Sequence, residues 1–213
     1  MGQVDAVLLI GPTGSGKTPL GEAIQRAGIC GRKVYHFDFG EHLRKAAAAR
    51  KPIYGLSEKE TQLIRRLLVE NKLLPGKSLG IARKIITGYM SSSLKSTVNR
   101  QPGMILLNGY PRNIRQAAMI ARIIRISLVI EIFASPAVVL ARIARDTGGD
   151  RKGRSDDSNS EILRKLQIYR SETLPILEFY RQRKVLILKV NAGISSTALQ
   201  MLGDIKRKVN ICP

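Results

Sequence analysis

Gly11-Pro12-Thr13-Gly14-Ser15-Gly16-Lys17-Thr18 decides how the rest of the chain is read. The run satisfies the pattern G-x-x-x-x-G-K-[ST]. Val4 to Ile10 precedes it, an apolar run broken only by Asp5, and reads as a buried strand. Residues 17–28 follow it and read as a helix closed by Gly28. Pro19 falls in the first turn of that helix, where its missing N–H costs nothing. Glycines at this spacing let backbone N–H groups curl around phosphate oxygens, and the helix N-terminus adds partial positive charge. Gly11 to Thr18 are therefore the expected ATP-binding residues. Lys17 is expected to reach the outer phosphates, and the Thr18 hydroxyl to ligate Mg²⁺.

Working outward, Lys33 to Asp38 reads as a second strand and Glu41 to Arg50 as a helix. Ser57 and Glu60 make a capping-box pattern ahead of Leu63, Ile64, Leu67 and Leu68, and Pro75-Gly76 closes that helix. Residues 77–95 are helical again, up to Gln101-Pro102-Gly103. Consecutive helices with no strand between them break the alternation and read as an inserted helical piece. Met104 to Leu107 is then a strand, 113–125 a helix and Leu128 to Ala134 a strand. Ser135 reads as an N-cap with Pro136 in the first helical position. Residues 146–156 are a polar loop, 158–183 helical with a kink at Pro175, Val185 to Val190 a last strand, and Ser195 onward a last helix. Five strands alternating with helices predict an α/β three-layer sandwich with a parallel sheet covered on both faces. Ligands in such folds sit at the C-terminal strand ends.

The 213 residues suit one domain, and 44% apolar with 24% charged residues is globular composition. The net charge of +20 admits a nucleic acid or an anionic membrane face as partner. The basic residues are spread along the whole chain, however, which favours a phosphate-handling protein with spare Lys and Arg. Cys30 and Cys212 lack metal-ligand spacing, and His36 and His42 lack a catalytic partner set. No signal-peptide pattern, no apolar run of membrane length and no myristoylation motif is read, Ala6 standing where the last needs Ser or Thr. A soluble cytoplasmic protein without membrane attachment is the expectation.

The remaining motifs act together. Residues 36–44 read HFDFGEHLR, and 107–112 read LNGYPR with Gln116 one helical turn beyond Arg112. Residues 153–157 read GRSDD, followed by Tyr169, Thr173-Leu174-Pro175 and Phe179-Tyr180. In this order and spacing, over nearly the full length, the chain resembles the adenylate kinase family of nucleoside monophosphate kinases. The resemblance implies a P-loop NTPase fold and transfer of a phosphoryl group from ATP to a nucleoside monophosphate, with Mg²⁺. It implies that Lys17 binds the transferring phosphates and that Arg44 and Arg112 hold the acceptor's monophosphate. Gln116 would read the acceptor base, with Asp38, Phe39 and Gly109 beside it. Arg142 and Arg154 would line the donor side and close on the phosphates, so that Lys17, Arg112, Arg142 and Arg154 form the implied catalytic set. Asp156 and Asp157 would anchor a short lid at about 146–156, and a helical insert at about 39–77 would bind the acceptor. Closure of both excludes water. A monomer is the family expectation.

Departures from the family pattern define the open questions. Thr18-Pro19 stands where the family has Gly-Thr. Asn108 stands where it has an Asp whose carboxylate helps hold the Mg²⁺ hydration shell. An amide orients water but brings no charge, so slower catalysis or a different Mg²⁺ arrangement is expected, with Asp38 and Glu41 as the nearby carboxylates that compensate. Asp38 and Phe39 replace small or hydroxylated residues: Phe39 is a candidate base stacker. Asp38 either bonds a ribose hydroxyl or exocyclic amine, or caps the helix that follows. Lys165 replaces a family Arg, and Arg145 or Arg151 serves as the second lid arginine. Two other readings remain. One is a catalytically weakened, nucleotide-dependent RNA-binding or regulatory P-loop protein. The other is a tRNA-modifying P-loop transferase, since Gly11-Pro12-Thr13 resembles the start of tRNA dimethylallyltransferases.

Overall fold

A computed structural model describes residues 3–70, 72, 74, 75, 78–93, 103–149 and 158–209. The first apolar run is strand β1 (Val4–Ile10), and the glycine loop leads from it into α1 (Lys17–Ala27). β2 (Val34–Asp38) is followed by three helices, α2 (Phe39–Ala48), α3 (Glu58–Val69) and α4 (Leu79–Ser93). Alternation resumes with β3 (Met104–Asn108), α5 (Ile114–Ile120), β4 (Ile124–Phe133) and α6 (Pro136–Ala144). The chain finishes with α7 (Asn159–Ile168), α8 (Pro175–Arg181), β5 (Leu186–Asn191) and α9 (Ala198–Val209). The five strands form one parallel sheet in the order β2-β3-β1-β4-β5. The fold is thus the expected α/β P-loop arrangement. Because all strands run the same way, the turns after β1, β2 and β3 open along one edge.

Both faces of the sheet are dry. On one face Leu20, Ala23 and Ile24 of α1 and Met201, Leu202 and Ile205 of α9 cover Val7, Leu9, Leu106, Ile130 and Val190. On the other, Ile85 and Ile86 of α4, Ala117 and Ile120 of α5, and Ile176 and Tyr180 of α8 cover Leu8, Phe37, Ile105, Leu107 and Val129. Each such aliphatic side chain contributes about 1.5–3 kcal/mol on burial. A helix cap contributes about 1 kcal/mol. Burial therefore holds the layers together, while the caps decide where the helices start. Ser57 and Glu60 form the predicted capping box, each side chain bonded to the other's backbone N–H. The Ser135 hydroxyl accepts from Val138 N, with Pro136 opening α6.

Several boundaries differ from the sequence expectation, and three places show a local reason. The helix expected over 113–125 ends at Ile120, and β4 begins at Ile124 rather than Leu128. Ile124 and Ile126 are buried while Arg125 and Ser127 are exposed, so the period is two rather than 3.6. Arg125 also bonds Asp5 of β1 at 2.6 Å, which fixes the strand start. α2 begins two residues early, at Phe39, because the Asp38 carboxylate accepts from Glu41 N at 3.1 Å and caps it there. At Pro175 the chain widens into a π turn over Tyr169–Thr173, and Leu174 N donates to Tyr169 O at 2.9 Å. A wider turn accommodates the donor that proline lacks.

α4 lies against the Tyr54 turn through Gly88. A Cβ there would sit 2.9 Å from Tyr54 Cα, a backbone atom that cannot swing aside. Helix propensity alone would make Gly88→Ala stabilising by roughly 1 kcal/mol. We expect the opposite sign, a net loss of about 1–3 kcal/mol. Urea unfolding would show it as a lower midpoint at unchanged slope. A raised midpoint would mean that α4 does not pack this closely.

Candidate active site

The glycine loop takes its shape from two left-handed glycines, Gly14 at φ +69° and Gly16 at φ +91°. Gly14 also has no room for a side chain, since a Cβ would lie 2.6 Å from Ile143 Cγ1 of α6. Gly16 occupies the N-cap position of α1 and offers no side-chain cap, so the first N–H groups of that helix are left for a ligand. Lys17 folds back over the loop, its ammonium donating to Gly11 O at 2.8 Å and Pro12 O at 2.6 Å. The Ser15 hydroxyl is buried beneath with no hydrogen-bond partner.

Arg142, implied as a donor-side residue, lies against the glycine loop, its Nη2 3.0 Å from the Cβ position at Gly16. It is 2% exposed. Its Nε donates to Gly14 O at 3.0 Å, and its Nη1 donates to Gly193 O at 2.7 Å and Ser196 O at 2.9 Å. The planar guanidinium fork spans carbonyls from two segments, the glycine loop and the β5–α9 connection, and braces one against the other. Nothing in the sequence pattern announces this, because Arg142 falls in an otherwise apolar helix and its partners are backbone atoms.

Next to the loop, strand register brings three polar residues together. Asp38, the last residue of β2, pairs in register with Asn108, the last residue of β3, and Leu9 of β1 lies on the other side of Asn108. Val34 and Leu106 on the same face pack beneath α1, so Asp38 and Asn108 face the start of that helix. There the Thr18 hydroxyl donates to Asp38 Oδ2 at 2.8 Å. Asn108 Nδ2 donates to the same Oδ2 at 2.8 Å and approaches Thr18 Oγ1 at 3.2 Å and His36 Nε2 at 3.4 Å. Asn108 Oδ1 is buried with no partner. Burial pushes the Asp38 carboxyl up. The Thr18 hydroxyl, the Glu41 amide, His36 and Arg44 outweigh it and hold the group below the usual carboxylate range. Burial lowers His36 against the pull of Asp38, Glu22 and Glu41. A neutral ring with an accepting Nε2 suits the Asn108 amide. Asp38 therefore both caps α2 and bonds the loop.

Beyond β3, Arg112 Nε donates to Gly109 O at 2.9 Å. Its backbone is held at both ends: Gln116 Oε1 accepts from Arg112 N at 2.7 Å, and the Thr173 hydroxyl donates to Arg112 O at 2.9 Å. Gln116, implied as the base reader, has its carbonyl oxygen occupied in shaping this turn. Arg112 Nη2 lies 3.8 Å from the Cβ position at Gly109, next to Phe39. Arg44 Nη1 lies 3.4 Å from the Cβ position at Gly40, where Asp38 Oδ1 is 3.3 Å away. Arg44 thus lies over the start of α2 and Arg112 over the turn after β3, beside Phe39. Phe39, the candidate base stacker, is instead 4% exposed and packs on Tyr110 with ring centroids 4.9 Å apart. His42 is likewise structural, stacked on Phe37 at 4.7 Å and bonded to Tyr54 Oη at 2.6 Å. Arg151, Arg154, Asp156 and Asp157 lie outside the described residues.

Residues 10–163 match the family model described as the AAA domain. The adenylate kinase of Xylella fastidiosa (strain M23) is 28% identical over 186 residues, covering 85% of this chain and 88% of its own length. That of Prochlorococcus marinus (strain MIT 9303) is 27% identical over 201 residues, covering 92% and 95%. A gluconokinase from Sinorhizobium meliloti 1021 shares the fold, with a TM-score of 0.50 at 14% identity over 97% of this chain and 94% of that one. Among the described residues no helix is long and apolar enough to cross a membrane.

Arg142→Lys puts a single ammonium where a fork spans two segments. We expect a loss of about 2–4 kcal/mol in stability. ATP affinity should fall with it, because the glycine loop loses its brace. Thermal denaturation and calorimetric titration with ATP check this. Unchanged values in both would remove the bracing role.

Proposed function

Because this chain belongs to the AAA-domain family of P-loop kinases, as a divergent relative of the adenylate kinases, we propose that it transfers the γ-phosphoryl group of ATP to a nucleoside monophosphate. The products are ADP and a nucleoside diphosphate. What supports this reading is that two cationic sets follow the C-terminal ends of the β1, β2 and β3 strands. Lys17 and the amides of the glycine loop form one set, Arg44 and Arg112 the other, and the Thr18–Asp38 contact joins them. A donor polyphosphate needs the first set and an acceptor phosphate needs the second. Phosphoryl transfer asks for positioning and charge neutralisation more than for acid–base work, and these are the residues that provide both.

In this reading Lys17 leaves the carbonyls of Gly11 and Pro12 and takes up the phosphate being passed. Arg112, whose backbone is clamped by Gln116 and Thr173, holds the acceptor phosphate in line, and Arg44 neutralises it from α2. Arg142 acts through the loop it braces. Arg154, carried over from the resemblance, would close from the lid at about 146–156, and the helices between β2 and β3 would close from the acceptor side, excluding water. The Thr18 hydroxyl and the Asp38 carboxylate supply oxygens, and the adjoining Asn108 amide carries a buried, unpartnered oxygen, a set that suits a hard cation and its waters. Thr18 and its neighbours would hold Mg²⁺, which when bound neutralises phosphate charge. A cytoplasmic monomer fits the same reading.

A coupled assay of ADP formation against a panel of nucleoside monophosphates, with gluconate as a hydroxyl acceptor, tests the reading. We expect turnover with at least one monophosphate and none with gluconate. Lys17→Ala should lower that rate by about 10²–10³-fold. Arg112→Ala should raise the KM of the monophosphate more than that of ATP. ATP binding without turnover of any monophosphate would overturn the assignment.

A further inference from the structure

The crevice carries its negative charge on an unexpected strand. Where the related kinases resembled by the sequence have a carboxylate at the end of the third strand, this chain has an amide, Asn108. The structure puts a carboxylate one strand over, at Asp38, and turns it onto the same hydroxyl. Asp38 Oδ2 receives Thr18 Oγ1–H and Asn108 Nδ2–H, both at 2.8 Å. The other carboxylate close in sequence is turned away: Glu41 pairs with Lys45 at 2.5 Å, one turn along α2, and is half-exposed. Asn108 is 2% exposed; its Nδ2 faces the Thr18 hydroxyl at 3.2 Å, and its Oδ1 is buried without a hydrogen-bond partner. A buried amide oxygen without a donor is costly unless something supplies one, and a metal-bound water is such a donor.

We propose that Asp38 is the carboxylate that orders the magnesium-bound waters at the ATP phosphates, with Asn108 as the neutral positioning residue that holds it. The assignment rests on the reading that a magnesium nucleotide binds at Thr18, and it concerns the donor half of that site only. The two positions act as a pair. Strand register sets residues 38 and 108 side by side, so a single carboxylate is accommodated and the other member must donate a hydrogen bond to it. The device is an exchange between neighbouring strands of which one carries the charge.

Four variants test it: Asp38→Asn, Asn108→Asp, the double exchange, and Glu41→Gln as the control for the other carboxylate. Asparagine at 38 keeps an oxygen for the α2 cap. The readout is the affinity of a fluorescent ATP analogue with and without Mg²⁺, measured without any acceptor. Melting temperature is recorded alongside. We expect Asp38→Asn to reduce the Mg²⁺-dependent gain in affinity by about tenfold or more, as loss of an outer partner does at metal sites, while the metal-free affinity stays put. Glu41→Gln should leave the gain unchanged, and the double exchange should restore most of it. Asn108→Asp alone should melt several degrees lower without metal and recover when Mg²⁺ and ATP are added. An undiminished gain in Asp38→Asn, a loss of the gain in Glu41→Gln, or no recovery in the double exchange would overturn the proposal. Should Asp38→Asn fail to fold, the metal-dependent recovery of Asn108→Asp decides alone. Because no acceptor is present, failure to phosphorylate any monophosphate would sink the functional reading and leave this result standing. The converse result would sink this inference only.

Discussion

The parallel register between β2 and β3 is the constraint on which the crevice depends. It sets Asp38 level with Asn108, one residue short of where β1 ends and the glycine loop begins. Side chains of a strand alternate, so His36 and Asp38 share the face that α1 covers, while Phe37 goes to the opposite core, where Phe39 at the start of α2 also packs. A slip of one residue in β2 would bury the carboxylate among Ile85 and Ile86 and push a phenyl ring against Thr18. The apolar layers on both faces make that slip prohibitive. Packing far from any ligand therefore decides which polar atoms meet the phosphates.

The same logic explains Arg142. A glycine loop that keeps its N–H groups turned toward a ligand must leave carbonyls pointing elsewhere, and Gly14 O is one of them. A buried carbonyl without a donor costs about 1–3 kcal/mol. The buried guanidinium meets that need and extends to Gly193 and Ser196, so the loop and the connection to α9 become one unit. Preorganisation of this kind lets the loop bind an anion without first reorganising.

Much of this was legible in the residues themselves. The strand–glycine loop–helix start, the Ser57–Glu60 box and the Ser135-Pro136 start each rest on local chemistry, and local chemistry is what a sequence displays. The start of β4 was less visible, because Ile123-Ile124 fits either period and only the sheet neighbour Asp5 decides. Phe39 as a base stacker follows from chemistry alone; its burial on Tyr110 follows from the side of the sheet it occupies. Arg142 shows the limit most clearly. Its role is set by carbonyls more than fifty residues away on the β5–α9 side, and carbonyls have no sequence signature. Asp38 was readable as a cap or as a site residue. It is both, because a carboxylate has two oxygens and the strand end aims them at different partners.

That division of labour has an electrostatic consequence. Two carboxylates about 3 Å apart repel by roughly 5 kcal/mol at an effective dielectric near 20, more than a cap and a hydrogen bond together return. The pair at 38 and 108 is thus favoured as Asp–Asn or as a neutral residue with Asp, while Asp–Asp carries a penalty that a proton or a cation between the two relieves. With the charge on β2, it also stands near Arg44: Asp38 Oδ1 and Arg44 Nη1 share the space over Gly40, at 3.3 and 3.4 Å from the Cβ position. The carboxylate thus has Arg44 near one oxygen and, at the other, the Thr18 hydroxyl of the proposed magnesium site. A change of charge at either oxygen of Asp38 is felt at the other, so this residue would link the two halves of the crevice.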